Sequence, residues 1–261
     1  MKLGKHFLTD TSFADKIIDS LQLKENDTVL EIGGGKGILT ERIVDKVKKL
    51  YVVELDKNLY NLLLTKLARY KNIEIINADF LKLNLVEDLN LNENIKIVGN
   101  IPYSITSKIL EKIYNSSNIW TLCVLTLQKE VAQKLTAQVS SSYFSKLTLI
   151  TNFYTNVEYL FDIKKEYFYP VPKVDSAVVR FTPNSEFSNF LNKDKFLKFI
   201  DISFKHKRKF LLNSLNLELK VDKNLIKKIF ENLDIKTDLR PHQVSLNTYI
   251  KLFENLSTFI K

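Results

Sequence analysis

The sequence predicts an α/β protein: a doubly wound, mostly parallel sheet with an antiparallel edge hairpin, followed by a small all-α C-terminal domain. Three observations carry this. Short apolar, β-branched runs alternate with helix-period segments over the first 183 residues, the pattern of parallel strands joined by crossover helices. All six glycines fall within the first 99 residues, four of them between positions 33 and 37, where a strand gives way to a helix. Beyond Pro183 only the helical period persists. The expected domains are therefore 1–183 and 184–261.

Taken in order, Ser12 is placed to cap a helix over 12–21. Thr28-Val29-Leu30-Glu31-Ile32 reads as a strand running into the glycines, with a helix over 38–46 after it. Leu50-Tyr51-Val52-Val53-Glu54 is a second strand, followed by a helix over 57–69. A third strand over 73–76 ends at Asn77-Ala78-Asp79, and a fourth, Ile95-Lys96-Ile97-Val98, ends at Gly99-Asn100-Ile101-Pro102-Tyr103. A helix over 105–114, an apolar strand over 120–127 and a helix over 128–136 come next, and strands over 156–160 and 175–181 supply the edge hairpin. Trp120 and Cys123, on the fifth strand, read as core. The C-terminal part shows helical periods over 196–204, 208–215, 224–233 and 246–259.

Composition narrows the function. Of 261 residues, 45% are hydrophobic and 26% charged, with only five prolines, so disordered and fibrous classes are excluded. No apolar run reaches membrane-spanning length. The opening Met1-Lys2-Leu3-Gly4-Lys5-His6-Phe7 lacks the apolar core of a secretory signal, and Cys123 alone permits no internal disulfide; a reducing, cytoplasmic setting is expected. Lys and Arg number 39 against 30 acidic residues, for a net charge of +9, split as +3 over 1–183 and +6 over 184–261. That balance fits a polyanionic partner such as nucleic acid or an anionic membrane surface.

Ligands of doubly wound sheets bind beyond the carboxyl ends of the strands. Four successive strands end in the glycine loop, Glu54, Asp79 and Asn100. Gly33 and Gly35 let a ligand approach backbone amides, and Glu54, about 20 residues on, is placed to accept hydrogen bonds from ribose hydroxyls; together they indicate an adenosine-containing cofactor. The loop is not the dinucleotide fingerprint, since Ile38 stands where a third glycine would be, and not a nucleotide-triphosphate loop, since Gly37 rather than Ser or Thr follows Lys36. The pattern E-x-G-x-G-x-G with acids ending the next two strands looks like a Rossmann-like, S-adenosylmethionine-dependent methyltransferase. Asn100-Ile101-Pro102-Tyr103 is similar to the N-[LI]-P-[YF] turn of enzymes that methylate amines of planar rings, especially the 6-amino group of adenine. Such an amine is a poor nucleophile because its lone pair is delocalised. Acceptors from the Asn100 side chain and from a backbone carbonyl next to Pro102 favour a geometry that frees the lone pair. Pro102 fixes the turn without adding an N–H, and Tyr103 offers a face on which an extruded base stacks.

Along essentially its whole length the sequence resembles the ribosomal RNA adenine dimethyltransferases, most closely the bacterial small-subunit branch. Gly4-Lys5-His6-Phe7-Leu8 looks like the family's G-Q-[NH]-F-L, which implies cofactor contacts from His6 and Leu8. Glu31-Ile32-Gly33-Gly34-Gly35-Lys36-Gly37 matches E-I-G-P-G-x-G, with Gly34 in place of proline as Lys5 is in place of glutamine. Val53-Glu54-Leu55-Asp56 matches V-E-x-D. The resemblance implies that Glu54 holds the ribose, Asp79 the adenine amine of the cofactor, and that Asn100 faces both cofactor and target. Phe168-Tyr169-Pro170-Val171-Pro172-Lys173-Val174-Asp175-Ser176 corresponds to F-x-P-x-P-K-V-D-S and implies Phe168 as a second wall for the base, opposite Tyr103. Three segments set the chain apart from the erythromycin-resistance methyltransferases of large-subunit RNA: Leu127-Gln128-Lys129-Glu130-Val131-Ala132, the run from Phe204 to Leu215, and Leu239-Arg240-Pro241-His242-Gln243-Val244-Ser245. Within the second, Lys205, Lys207, Arg208 and Lys209 form a basic cluster expected to contact RNA phosphate; Arg208 alternatively pairs with an acid. The implied activity is dimethylation of two adjacent adenosines in the 3′-terminal hairpin of 16S rRNA, with a role in small-subunit biogenesis. The other readings are a large-subunit resistance methyltransferase and a protein acting mainly as a ribosome-assembly factor. A monomer is expected, with neither a metal site nor a membrane partner.

Overall fold

The computed structural model describes residues 6–89, 91 and 94–260; Gly4 and Lys5 of the N-terminal motif lie outside these. In chain order the elements are β1 (Phe7–Leu8), α1 (Thr11–Ser20), β2 (Thr28–Ile32), α2 (Thr40–Ile43), β3 (Lys49–Val53), α3 (Lys57–Lys66), β4 (Ile73–Ile76), β5 (Ile95–Asn100), α4 (Thr106–Asn115), β6 (Trp120–Gln128), α5 (Lys129–Leu135), α6 (Lys146–Tyr154), β7 (Thr155–Ile163), β8 (Phe168–Tyr169), β9 (Ser176–Pro183), α7 (Lys193–Phe204), α8 (Leu211–Leu219), α9 (Lys223–Asn232) and α10 (Leu246–Leu256). No helix among the described residues is long and apolar enough to cross a membrane.

Seven strands form one sheet in the order β4-β3-β2-β5-β6-β9-β7. The first five pair in parallel, and β9 and β7 add the antiparallel edge. β6 is buried over nearly its whole length, as expected of an interior strand covered on both faces. Trp120 is buried and donates its indole N–H to Ile113 O at 2.9 Å. Cys123 is a free, fully buried thiol whose pKa burial pushes well up, so it behaves as an inert core residue. Strand order reverses between β2 and β5, which opens a crevice at their carboxyl ends.

The chain divides into two compact units, Met1–Ala132 with Thr155–Pro183, and Gln133–Tyr154 with Asn184–Lys261. The sequence placed all of 1–183 in the first domain, so the 133–154 excursion is a correction. Its physical basis is α6, which was not foreseen: Leu149 and Phe153 pack into a cluster with Phe187, Phe196, Phe199 and Phe253, and Phe153 stacks on Phe187 with centroids 5.4 Å apart. The helix is rich in threonine, a poor helix former, yet Thr148 bonds Lys134 O at 2.6 Å and Thr151 bonds Leu147 O at 2.7 Å, so both buried hydroxyls are satisfied.

Other differences are local. The cap of α1 is Asp10 rather than Ser12, its carboxylate accepting from Ser12 N at 2.9 Å and Phe13 N at 3.1 Å. The expected helix over 38–46 is the single turn of α2 continued by a 3-10 turn, Val44–Lys46. α8 begins at Leu211, which leaves Arg208 and Lys209 in the turn before it. β1 and β8 form a two-residue antiparallel ribbon pairing Phe7 with Tyr169 and Leu8 with Phe168; so short a pair carries no readable alternation.

Candidate active site

A cavity of about 700 Å³ opens at the carboxyl ends of β2, β3, β4 and β5. Each strand end contributes to it. After β2, Gly33, Gly35 and Gly37 take φ of +78°, +56° and +90°, which an L side chain adopts only with strain. The loop thereby presents backbone rather than side chains to a ligand. After β3, Glu54 is 5% exposed and holds this loop: one carboxylate oxygen accepts from Gly35 N at 2.9 Å and the other from Asp56 N at 2.8 Å. Asp56 in turn caps α3 through Asn58 N and Leu59 N. After β4, Asp79 accepts from Leu81 N at 3.0 Å, and Asn77 donates to Glu54 O and Leu55 O. Two adjacent strand ends are thus bonded together.

At the end of β5 the backbone must pass close to β2. A side chain at Gly99 would place its Cβ 2.8 Å from Ile32 O, so only glycine leaves the strands in register there. Asn100 follows, and its amide Nδ2 donates to His6 O at 3.0 Å. That bond fixes the amide's orientation, leaving Oδ1 as an acceptor. Pro102 lies at φ −61°, ψ 131°, and its carbonyl is taken by Ile105 N at 3.2 Å and Thr106 Oγ1 at 3.4 Å. Pro102 O is therefore already engaged, and the carbonyl on the other side of the proline's nitrogen is that of Ile101, a buried residue that lines the cavity. Tyr103 is half-buried, its hydroxyl bonded to Ser176 Oγ at 2.7 Å. Burial raises its pKa, the Ser176 hydrogen bond opposing and Asp175 adding to the rise, so the phenol stays neutral.

The structure brings His6, Leu8, Gly33, Gly35, Glu54, Asp79, Asn100, Pro102 and Tyr103 to this one cavity. His6 stacks on Tyr103 with centroids 5.8 Å apart, and its Nδ1 lies 2.6 Å from Pro170 O. Phe168 is not brought there. It is 2% exposed and packs in the core with Leu8, Ile163 and Val178, because alternation along the two-residue β8 sends Phe168 inward and Tyr169 outward. The expectation that Phe168 stands as a wall opposite Tyr103 is corrected accordingly.

In the sequence Glu31 reads only as part of the glycine motif, yet it lines the cavity at 1% exposure, and its Oε2 has no hydrogen-bond partner among the described residues. Burial pushes its pKa up to about 7; the Thr40 hydroxyl opposes this and Glu54 adds to it. The signal was available, since an acid inside an otherwise apolar parallel strand needs a reason. In the C-terminal unit, Lys205 and His206 are both engaged by Glu218, at 2.6 and 2.7 Å, and these contacts hold the Glu218 carboxyl below its usual range. Lys207, Arg208 and Lys209 are exposed, and none of them pairs with a carboxylate among the described residues. The alternative of Arg208 as a partner of an acid is not met.

The doubly wound sheet, the glycine loop with acids at successive strand ends, and the Asn-Ile-Pro-Tyr turn define a methyltransferase. The chain belongs to the ribosomal RNA adenine dimethylase family, whose family model matches residues 1–256. It is 37% identical to a ribosomal RNA small subunit methyltransferase A from Mycoplasma capricolum over 253 residues, covering 96% of this chain and 94% of that protein. Among solved structures, a dimethyladenosine transferase from Plasmodium falciparum superimposes with a TM-score of 0.86 at 27% identity, over 97% of this chain and 98% of the other. The 23S rRNA methyltransferase ErmE superimposes with a TM-score of 0.74 at 26% identity, over 96% and 99%.

Proposed function

We propose that this protein dimethylates the 6-amino groups of two adjacent adenosines in the 3′-terminal hairpin of 16S rRNA, within the small ribosomal subunit or its precursor in the cytoplasm, with S-adenosylmethionine as methyl donor. The observation that carries the reading is the Asn100 turn, whose side chain is oriented by His6 O so that Oδ1 is left as an acceptor, in a cavity that Ile101, Pro102 and Tyr103 also line. The small-subunit substrate is supported by the similarity to ribosomal RNA small subunit methyltransferase A proteins, which extends over nearly the full length of both chains.

The cavity fits the donor. Its volume of about 700 Å³ lies within the range of cofactor sites. The carboxylates of Glu54 and Asp79 suit ribose hydroxyls and an adenine amine, respectively. Leu55, 51% exposed beside Glu54, gives an apolar surface for a purine. Leu8 and the backbone of Gly33 and Gly35 close the remaining sides. When bound, this cofactor supplies an electrophilic sulfonium methyl group.

The protein's own residues act on the amine. Asn100 Oδ1 and Ile101 O accept its hydrogens, which turns the nitrogen lone pair out of conjugation; Tyr103 holds the ring plane. No strong general base is needed, since an N-methylated adenine ammonium is acidic and releases its proton to water. After one methyl has been added, one N–H remains for a single acceptor, so the turn still holds the amine for a second transfer. Lys207, Arg208 and Lys209 are the RNA phosphate contacts of the C-terminal unit; Lys205, engaged by Glu218, contributes less.

The test is labelled methyl transfer to unmethylated small and large subunits in parallel, followed by nucleoside analysis. Dimethyladenosine confined to the small subunit is the expected result. Label confined to the large subunit overturns the substrate assignment.

A further inference from the structure

Building on the RNA substrate proposed above, we infer that Lys36 and Tyr169 form a second RNA contact at the edge of the cavity. The Lys36 ammonium takes a backbone phosphate next to the target adenosine, and the Tyr169 ring takes a neighbouring unstacked base.

Lys36 sits in the glycine loop, exposed to solvent while lining the cavity. Its Nζ lies 5.2 Å from the centroid of Phe7 and 5.9 Å from that of Tyr169. These two rings are register partners across the β1–β8 ribbon. The ribbon is itself pinned by Thr9, whose N–H and hydroxyl both reach Tyr167 O at 2.9 Å. An ordinary surface lysine samples many rotamers, whereas here two rings within cation–π range favour this placement of the ammonium, each by about 0.5–1 kcal/mol at an exposed site. No carboxylate among the described residues pairs with it. The nearby acid Glu41 is taken by Lys66, which also donates to Lys36 O at 3.2 Å. The result is a positioned, unneutralised cation.

The surface beside it has the complementary character. Tyr169, at the end of β8, is 65% exposed, so its ring is open to a partner. An aromatic ring next to a fixed cation matches the two parts of a nucleotide, a base with its phosphate. Extruding one adenosine also requires its neighbours to find new stacking partners and its backbone to turn. Lys36 lines the cavity that the target adenosine would enter, and Tyr169 lies beside it.

The test uses the full chain with Lys36→Gln, Lys36→Arg and Tyr169→Ala, reading affinity for unmethylated small subunits across a salt series and, separately, affinity for S-adenosylmethionine. Loss of one phosphate contact should lower the slope of log affinity against log salt by about 0.7 and weaken binding about fivefold at 0.1 M salt. Lys36→Arg should keep the parent slope. Tyr169→Ala should weaken subunit binding about tenfold with the slope unchanged, and cofactor affinity should stay at the parent value throughout. An unchanged slope and affinity in Lys36→Gln overturns the phosphate contact, and unchanged subunit affinity in Tyr169→Ala overturns the base contact. A loss confined to cofactor affinity assigns Lys36 to the cofactor's carboxylate instead. If the unaltered protein transfers no methyl group to small subunits, it is the functional reading that fails; if it does and the Lys36 and Tyr169 variants bind normally, only this inference fails.

Discussion

Replacing Asn100 with alanine removes two interactions at once, and their sizes differ. The donated bond from Nδ2 to His6 O, 3.0 Å and partly buried, is worth about 1 kcal/mol net, and its loss leaves a backbone carbonyl without its partner. The acceptor Oδ1 acts on the charge that develops at the amine. Deleting one such pre-oriented group in other enzymes costs about 3–4 kcal/mol, or 10²–10³ in turnover. Asn100→Ala is therefore expected to lower kcat by at least about 10², while cofactor affinity, assigned in the proposed function to Glu54, Asp79 and the glycine loop, changes by less than about threefold. Asn100→Asp keeps an acceptor but sets a carboxylate against His6 O, so a smaller loss of about tenfold is expected. The assay is labelled methyl transfer to unmethylated small subunits, with cofactor affinity from calorimetry. Turnover of Asn100→Ala within about fivefold of the parent, in a folded protein, would refute the reasoning.

Three further outcomes can be checked. Glu31 is protonated in the folded chain up to about pH 7 but releases its proton near 4.5 when unfolded, so the folded state holds more protons between those values. Stability should fall as pH rises from about 4.5 to 7, by at most about 3.5 kcal/mol; Glu31→Gln should flatten this, and equal pH dependence of both proteins in urea unfolding would count against it. Phe168→Ala should cost about 3–5 kcal/mol of stability as a core deletion; a variant with unchanged thermal unfolding and impaired turnover would restore the ring to the base-binding wall. Neutralising Lys207, Arg208 and Lys209 together should reduce the salt slope of subunit binding by about 2, whereas Lys205→Gln, already compensated by Glu218, should leave it within about 0.3 of the parent value; the reverse ranking would mean that the pairing with Glu218 is broken on the ribosome.

What was legible in the sequence follows from the range of the interaction that sets each feature. The parallel strands were readable because burial on both faces writes a continuous apolar run, as in β6. The strand-end residues were readable because the doubly wound topology fixes where they must converge. α6 was not, since its helicity depends on tertiary burial of Thr148 and Thr151 against local preference. Nor was the state of Lys205, which depends on Glu218, thirteen residues away on the next helix.

The feature least visible in the sequence has the largest effect on how the site is understood. Two residues of β1 paired with two of β8 leave no period to detect, yet this ribbon delivers His6 O to Asn100, stacks the His6 ring on Tyr103 and sets Phe7 beside Tyr169 under Lys36. The motif residues alone name an asparagine beside a proline, and an asparagine amide can present either its donor or its acceptor to a substrate. Only the carbonyl of a residue 94 positions earlier in the chain decides that the donor is used internally and the acceptor is left for a substrate. The same ribbon turns Phe168 into the core and Tyr169 out to solvent, so it divides this pair of aromatic residues between stability and surface. Loosening the ribbon on its Phe7 and Tyr169 side, away from the core residues Leu8 and Phe168, should therefore disturb turnover through Asn100 before it disturbs the fold, because the seven-stranded sheet is paired independently of it.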